Sequence, residues 1–222
     1  MEKLKTPIVI VNFKAFNSAI GKNSVELAKI CEQVAKKLNV NIAVAVQTSD
    51  ISQVASAVSI PVFAQHVDFV SQGAFTGSVL PEAVKSAGAV GSLVNHSEKP
   101  LDIGSIKKTI LRLQDCGMLA IACAGTSEMA VEISKFNPDV IAIEPPELIG
   151  GDVAVSSAKP EVLTDAIVRI KRIPVICGAG IKTKDDVKKA VLLGVKGILM
   201  ASGVDCVKNP LKVLTELVEG FE

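Results

Sequence analysis

The chain of 222 residues predicts an α/β fold, a single closed (β/α)8 barrel over 1–222, with an open, doubly wound sheet as the alternative. Three observations point there. Eight short apolar, β-branched runs recur along the chain, eight amphipathic stretches follow them, and no linker or shift in composition divides the sequence. The runs lack alternating polar residues, which is how strands buried on both faces of a parallel sheet read.

The first run, 7–11, leads to a helical stretch over 22–38 that opens at Ser24, Val25 and Glu26. The runs 42–46, 61–64 and 89–94 lead to stretches over 50–58, 80–87 and 102–115. The run 118–123 precedes 126–136, and 139–143 precedes 160–171, where Pro160 suits a first helical turn. After 173–177, the stretch 182–193 starts with Thr183 and Asp186 at capping-box spacing and stops at Gly194. The last run, 197–200, leads to 210–219, again with a proline at the start.

Composition removes several classes of function. The 24 basic and 23 acidic side chains nearly cancel, so the basic footprint of a nucleic-acid partner is missing. With no Trp or Tyr and 7 Phe, there is little material for stacking bases. Apolar residues are 49% of the chain, too many for a disordered one. No apolar run approaches the length of a membrane span, and none near Met1 is long enough for a signal peptide, so a cytoplasmic protein without a membrane partner is expected. The five cysteines (Cys31, Cys116, Cys123, Cys177 and Cys206) form no Cys-x-x-Cys pair and read as buried small apolar residues in a reducing compartment.

In such a barrel the chemistry lies where the strands end. Asn12, Phe13 and Lys14 follow the first run, Gln65 and His66 the third, and Asn95, His96, Ser97 and Glu98 the fourth. Glu144, Pro145, Pro146 and Glu147 follow the sixth. Gly178, Ala179 and Gly180 follow the seventh, and Ala201, Ser202 and Gly203 the eighth. A carboxylate, an imidazole and an ammonium would then share one rim with two small-residue loops suited to an anion. Glu144, at the end of an apolar run, is placed to have its pKa raised and to act as a base. His66 reads as an ordinary side chain. Residues 202–205 suit the start of a short helix behind an anion. The long connection 145–156 joins a stiff Pro-Pro end to a Gly-Gly end, as a moving lid would. No cluster has metal-ligand spacing, and no cofactor is expected.

Taken in order along the whole chain, Asn12-x-Lys14, His96-Ser97-Glu98, Glu144-Pro145 and the 73–77 loop resemble the triosephosphate isomerase family. The short length, Pro146-Glu147-Leu148 and the Gly-Ala-Gly and Ala-Ser-Gly loops are similar to its archaeal-type branch. The resemblance implies a TIM barrel that interconverts dihydroxyacetone phosphate and D-glyceraldehyde 3-phosphate, a step of glycolysis and gluconeogenesis. It implies Glu144 as base, His96 as electrophile, Lys14 and Asn12 on the substrate, and amides near Ile149, Gly180, Ala201 and Ser202 on the phosphate. It also implies a homo-oligomer, with residues 73–77 reaching a neighbour and a tetramer favoured over a dimer. Two other readings fit the phosphate loops: another barrel isomerase or epimerase for a sugar phosphate, and a barrel that binds a phosphorylated metabolite without turnover.

Overall fold

Strands that are apolar at every position must be covered on both sides, and closing them into a ring achieves this. In the computed structural model, which describes residues 4–148 and 154–221, eight parallel strands form a closed barrel in sequence order. They are β1 (Ile8–Asn12), β2 (Asn41–Val46), β3 (Val62–Ala64), β4 (Gly91–Val94), β5 (Leu119–Ala124), β6 (Val140–Ile143), β7 (Val175–Cys177) and β8 (Gly197–Met200). Pairing of Ile8 with Gly197 through Val11 with Met200 closes the ring and excludes the open sheet.

The helices are α1 (Lys22–Leu38), α2 (Ile51–Ala57), α3 (Pro81–Ser86), α4 (Ile103–Asp115), α5 (Ser127–Ser134), α6 (Val155–Ala158), α7 (Pro160–Arg169), α8 (Lys184–Leu192), α9 (Ser202–Asp205) and α10 (Pro210–Val218). Leu27, Ala28, Cys31, Val34 and Ala35 give α1 a buried stripe at helical spacing, and Asn39 ends it in the left-handed conformation. Thr183 and Asp186 form the expected reciprocal cap on α8. The Asp102 side chain accepts from the Ser105 amide at the start of α4.

Among the strands that begin later than their apolar runs, two share one reason. Pro61 and Pro174 have no N–H for the ladder, so β3 and β7 start one residue further on. Their carbonyls still accept from Val44 and Ile141. The short helix α6 gave no sequence signal, because four residues are too few to show a period. The cysteines divide as well: Cys31, Cys123 and Cys177 are buried and Cys116 is half-buried, whereas Cys206 is exposed and corrects the expectation of burial. All five are free thiols. Among the described residues no helix is long and apolar enough to cross a membrane.

Strand alternation then positions the site. Ile8 and Ile10 fill the barrel interior while Val9 and Val11 face the helices. Continuing that parity carries Asn12 inward at the barrel mouth. The same count takes Ala142 to Glu144, Ile176 to Gly178 and Leu199 to Ala201.

Gly197 lies at the seam between first and last strands, where an added Cβ would sit 2.2 Å from the Ile8 carbonyl oxygen. Backbone cannot give way there as a side-chain tip can. Gly197→Ala is therefore expected to cost about 3 kcal/mol or more, read as a lowered urea midpoint at unchanged slope.

Candidate active site

Asn12, Lys14, His96, Glu144, Gly180 and Ala201 line one pocket at the C-terminal mouth of the barrel. Of the remaining residues expected there, Ile149 lies outside the described residues, as does the 149–153 part of the expected lid. Ser202 is the first residue of α9, directly after Ala201. His66 is elsewhere, paired with Asp68 at 3.2 Å. A larger cavity of about 670 Å³ opens at the opposite face of the barrel, but no carboxylate or imidazole lines it.

Each catalytic candidate is held by backbone geometry. Lys14 adopts the left-handed conformation, with φ 47°, which a long side chain seldom occupies unless its surroundings impose it. Here the Asn12 side chain accepts from the Lys14 amide at 3.0 Å. Gln47 and Gln65, from the ends of β2 and β3, both donate to the Lys14 carbonyl at 2.9 Å. The Lys14 ammonium then bonds Glu98 Oε1 at 2.6 Å. Asn95 is also left-handed, with φ 60°, and its side chain turns away to bond the Cys123 carbonyl and the Leu101 amide. His96 thereby becomes the residue of this turn that enters the pocket.

The imidazole tautomer follows from its partners. The Glu98 amide donates to His96 Nδ1 at 3.2 Å, so Nδ1 is the acceptor and Nε2 carries the proton. Burial pushes the His96 pKa down, Glu98 opposes this and Lys14 adds to it. The ring is neutral at pH 7, with its N–H toward the pocket.

Nε2 lies 3.6 Å from Glu144 Oε1. Glu144 is only 2% exposed. Its burial raises the carboxyl pKa to about 7, against the Cys123 thiol, the Lys14 charge and the Ser97 amide, which favour the anion. Oε2 has no partner at full hydrogen-bond geometry among the described residues. Gly178 packs so closely that a Cβ there would sit 2.4 Å from Glu144 Cγ. From the sequence, Gly178 has a place in an anion loop but none beside Glu144, and Gln47 and Cys123 have no part in the chemistry. Strand parity signals all three: Cys123 and Gly178 share the inner face, and Gln47 continues the parity of Ala43 and Ala45 directly after β2.

The two small-residue loops follow adjacent strands and line this pocket side by side. Gly178, Ala179 and Gly180 line it from β7, with Gly180 at φ 73°, and Ala201 and Gly203 line it from β8. Lys182 adds a cationic side chain to the same wall. A carboxyl group of near-neutral pKa, a neutral imidazole N–H, an ammonium and two small-residue loops in one pocket define a barrel enzyme with the groups for acid–base chemistry.

Comparison with known proteins gives the particular family. The model of the family described as triosephosphate isomerase matches residues 7–219. The chain is 46% identical over 216 residues to the triosephosphate isomerase of Methanothermus fervidus, covering 96% of this chain and 97% of that one. It is 44% identical over 222 residues to that of Methanothermobacter thermautotrophicus, covering 98% and 97%. The crystal structure of triosephosphate isomerase from Bartonella henselae shares the fold, with a TM-score of 0.75 at 18% identity over 97% of this chain and 98% of that one. The chain belongs to the triosephosphate isomerase family and is an isomerase.

Two outcomes follow from the packing around Glu144. Gly178→Ala should lower kcat by about 100-fold or more through displacement of the carboxylate, with a smaller change in KM. A kcat within a factor of two of the parent would remove Gly178 from this role. Because the folded-state pKa of Glu144 is raised, the stability tied to its protonated form is present below the usual carboxyl range and lost as pH rises through about 7. Glu144→Gln should therefore be more stable than the parent by about 3 kcal/mol at pH 8.5 and equal to it near pH 4, read by urea unfolding at both values.

Proposed function

We propose that this chain interconverts dihydroxyacetone phosphate and D-glyceraldehyde 3-phosphate through an enediolate. The observation that carries the reading is the pair formed by buried Glu144 and neutral His96, 3.6 Å apart beside Lys14 in one pocket. Glu144 removes the proton from the carbon next to the carbonyl and returns it to the neighbouring carbon. Its near-neutral pKa suits both directions, since a base that is too weak cannot abstract and one that is too strong cannot return. The Nε2–H of His96 donates to the carbonyl oxygen and exchanges its proton with the adjacent hydroxyl as charge moves between them. A neutral donor suits this step, because an imidazolium this buried would lose much of its charge stabilisation on desolvation.

Lys14 offsets the negative charge that develops on the enediolate, and Glu98 holds the ammonium in place. Asn12 fixes the Lys14 backbone and borders the reacting oxygens. Amides of the Gly180 and Ala201–Ser202 loops bind the phosphate. The small triose phosphate is the substrate, and the reaction has its place in glycolysis and gluconeogenesis in the cytoplasm.

Assembly belongs to the same reading. Phe75 in the 73–77 loop is about half exposed, and Ile103 and Leu111 on α4 and Met129 on α5 are exposed apolar side chains of their own. A homotetramer covers both sets, and sedimentation equilibrium tests this by mass.

Turnover of D-glyceraldehyde 3-phosphate in a coupled assay tests the function directly, and no turnover of either triose overturns it. Glu144→Asp should lower kcat by about 100- to 1,000-fold with little change in stability, because the shorter side chain withdraws the base. The anion is the working form of the base, so kcat/KM should rise with pH through about 7 once the substrate's own phosphate ionisation is removed. A flat profile from pH 5 to pH 9 would take Glu144 out of the base role.

A further inference from the structure

Asp205 is a buried carboxylate that the reaction does not use. It is the last residue of α9, the four-residue helix that begins directly after Ala201. Its amide donates to the Ala201 carbonyl at 3.1 Å, so it closes the turn whose other end is the candidate phosphate loop. The residue is 3% exposed, and both carboxyl oxygens are buried without a hydrogen-bond partner among the described residues. An unpaired buried carboxylate is costly as an anion and much less so as a neutral acid.

The groups around it leave that cost standing. Lys14, from the loop after β1, is the cation that acts on it. From α1 it meets the buried Cys31 thiol, and the Cys206 thiol follows in the chain; both are pushed up toward the protonated form, with Asp205 contributing to each. α10 turns Leu214 and Leu217 inward and keeps Lys212 and Glu216 within 3.8 Å of each other at its surface.

We propose that Asp205 tunes the phosphate loops by its charge: it is buried in the α9 turn as a neutral acid, and its ionisation sets a negative charge beside those loops that weakens anion binding. This rests on the reading above that the Gly180 and Ala201–Ser202 loops hold the substrate's phosphate. Burial, opposed by Lys14, raises the Asp205 carboxyl to about 8, which puts the change just above neutrality. Substrate affinity then falls at alkaline pH while the base, already ionised, keeps its rate, so the effect appears in KM and not in kcat.

The test uses sulfate, a dianion whose charge does not change between about pH 6 and about pH 9.5. Its dissociation constant is measured by calorimetry on the parent and on Asp205→Asn across that range. Beyond the loss with a midpoint near 7 that ionisation of Glu144 in the same pocket imposes on both proteins, the parent should lose about a further tenfold in affinity with a midpoint near 8, and Asp205→Asn should lose no more than about a further twofold. The same loss in both proteins, no loss in the parent, or no sulfate binding at low pH overturns the proposal.

A measurement on the parent alone covers failure of the variant to fold. By reciprocity, saturating sulfate must raise the Asp205 titration midpoint by about one unit, seen by carboxyl carbon NMR, and an unmoved midpoint overturns the proposal. Triose turnover on the same samples separates the two readings, because loss of isomerase activity with the sulfate profile intact counts against the function and not against Asp205. The parent's kcat should hold between pH 8 and pH 9.5 while KM rises, and a parallel fall in both would contradict a role confined to binding.

Discussion

Desolvation of one carboxylate is the constraint around which the mouth of the barrel is built. Glu144 continues the inward parity of β6, so its position is set by the strand and not by a loop. The Gly178 backbone closes one side, and the Cys123 thiol and Ser97 amide lie close enough to temper the charge without cancelling it. Had the site supplied a full set of donors, the carboxylate would be a comfortable anion and a poor base at neutral pH. In the proposed reaction, the residual poverty of hydrogen bonds is what leaves it able to take a proton from carbon.

The cationic half of the site is organised by the opposite means. Where Glu144 is starved of partners, the loop bearing Lys14 is crowded with them. Its left-handed backbone is tied to three side chains from three successive strands, Asn12, Gln47 and Gln65. The ammonium is then neutralised in part by Glu98, whose own backbone amide fixes the His96 tautomer. One stretch, 95–98, therefore aims the imidazole and steadies the lysine together. A change at Glu98 would disturb two functions at once, although it lies outside the pocket wall.

Much of this was readable in the chain. The β-branched runs located all eight strands within two residues, because burial on both faces leaves no polar residue to blur them. The rim residues were legible from position alone: a polar group directly after an apolar strand must sit at its mouth. Gln47 also follows its strand directly, so its place at the mouth was legible, but its contribution was not: it bonds the Lys14 carbonyl, whose direction is set by the left-handed backbone at Lys14. The importance of Gly178 was hidden for a related reason. A glycine after a strand looks like any tight turn until the side chain occupying its missing Cβ is known. The starts of β3 and β7 shifted through the missing proline N–H, a backbone effect that a hydropathy pattern does not record.

The ring closes between its first strand and its last, so the loop with Asn12 and Lys14 and the loop with Ala201 meet only across that seam. During synthesis, a chain still lacking β8 carries Glu144, His96 and Lys14, yet has no strand beside β7 to place Ala201 next to Gly180. The last wall of the pocket therefore arrives with about the final eighth of translation, in the same step that closes the ring between its first and seventh strands.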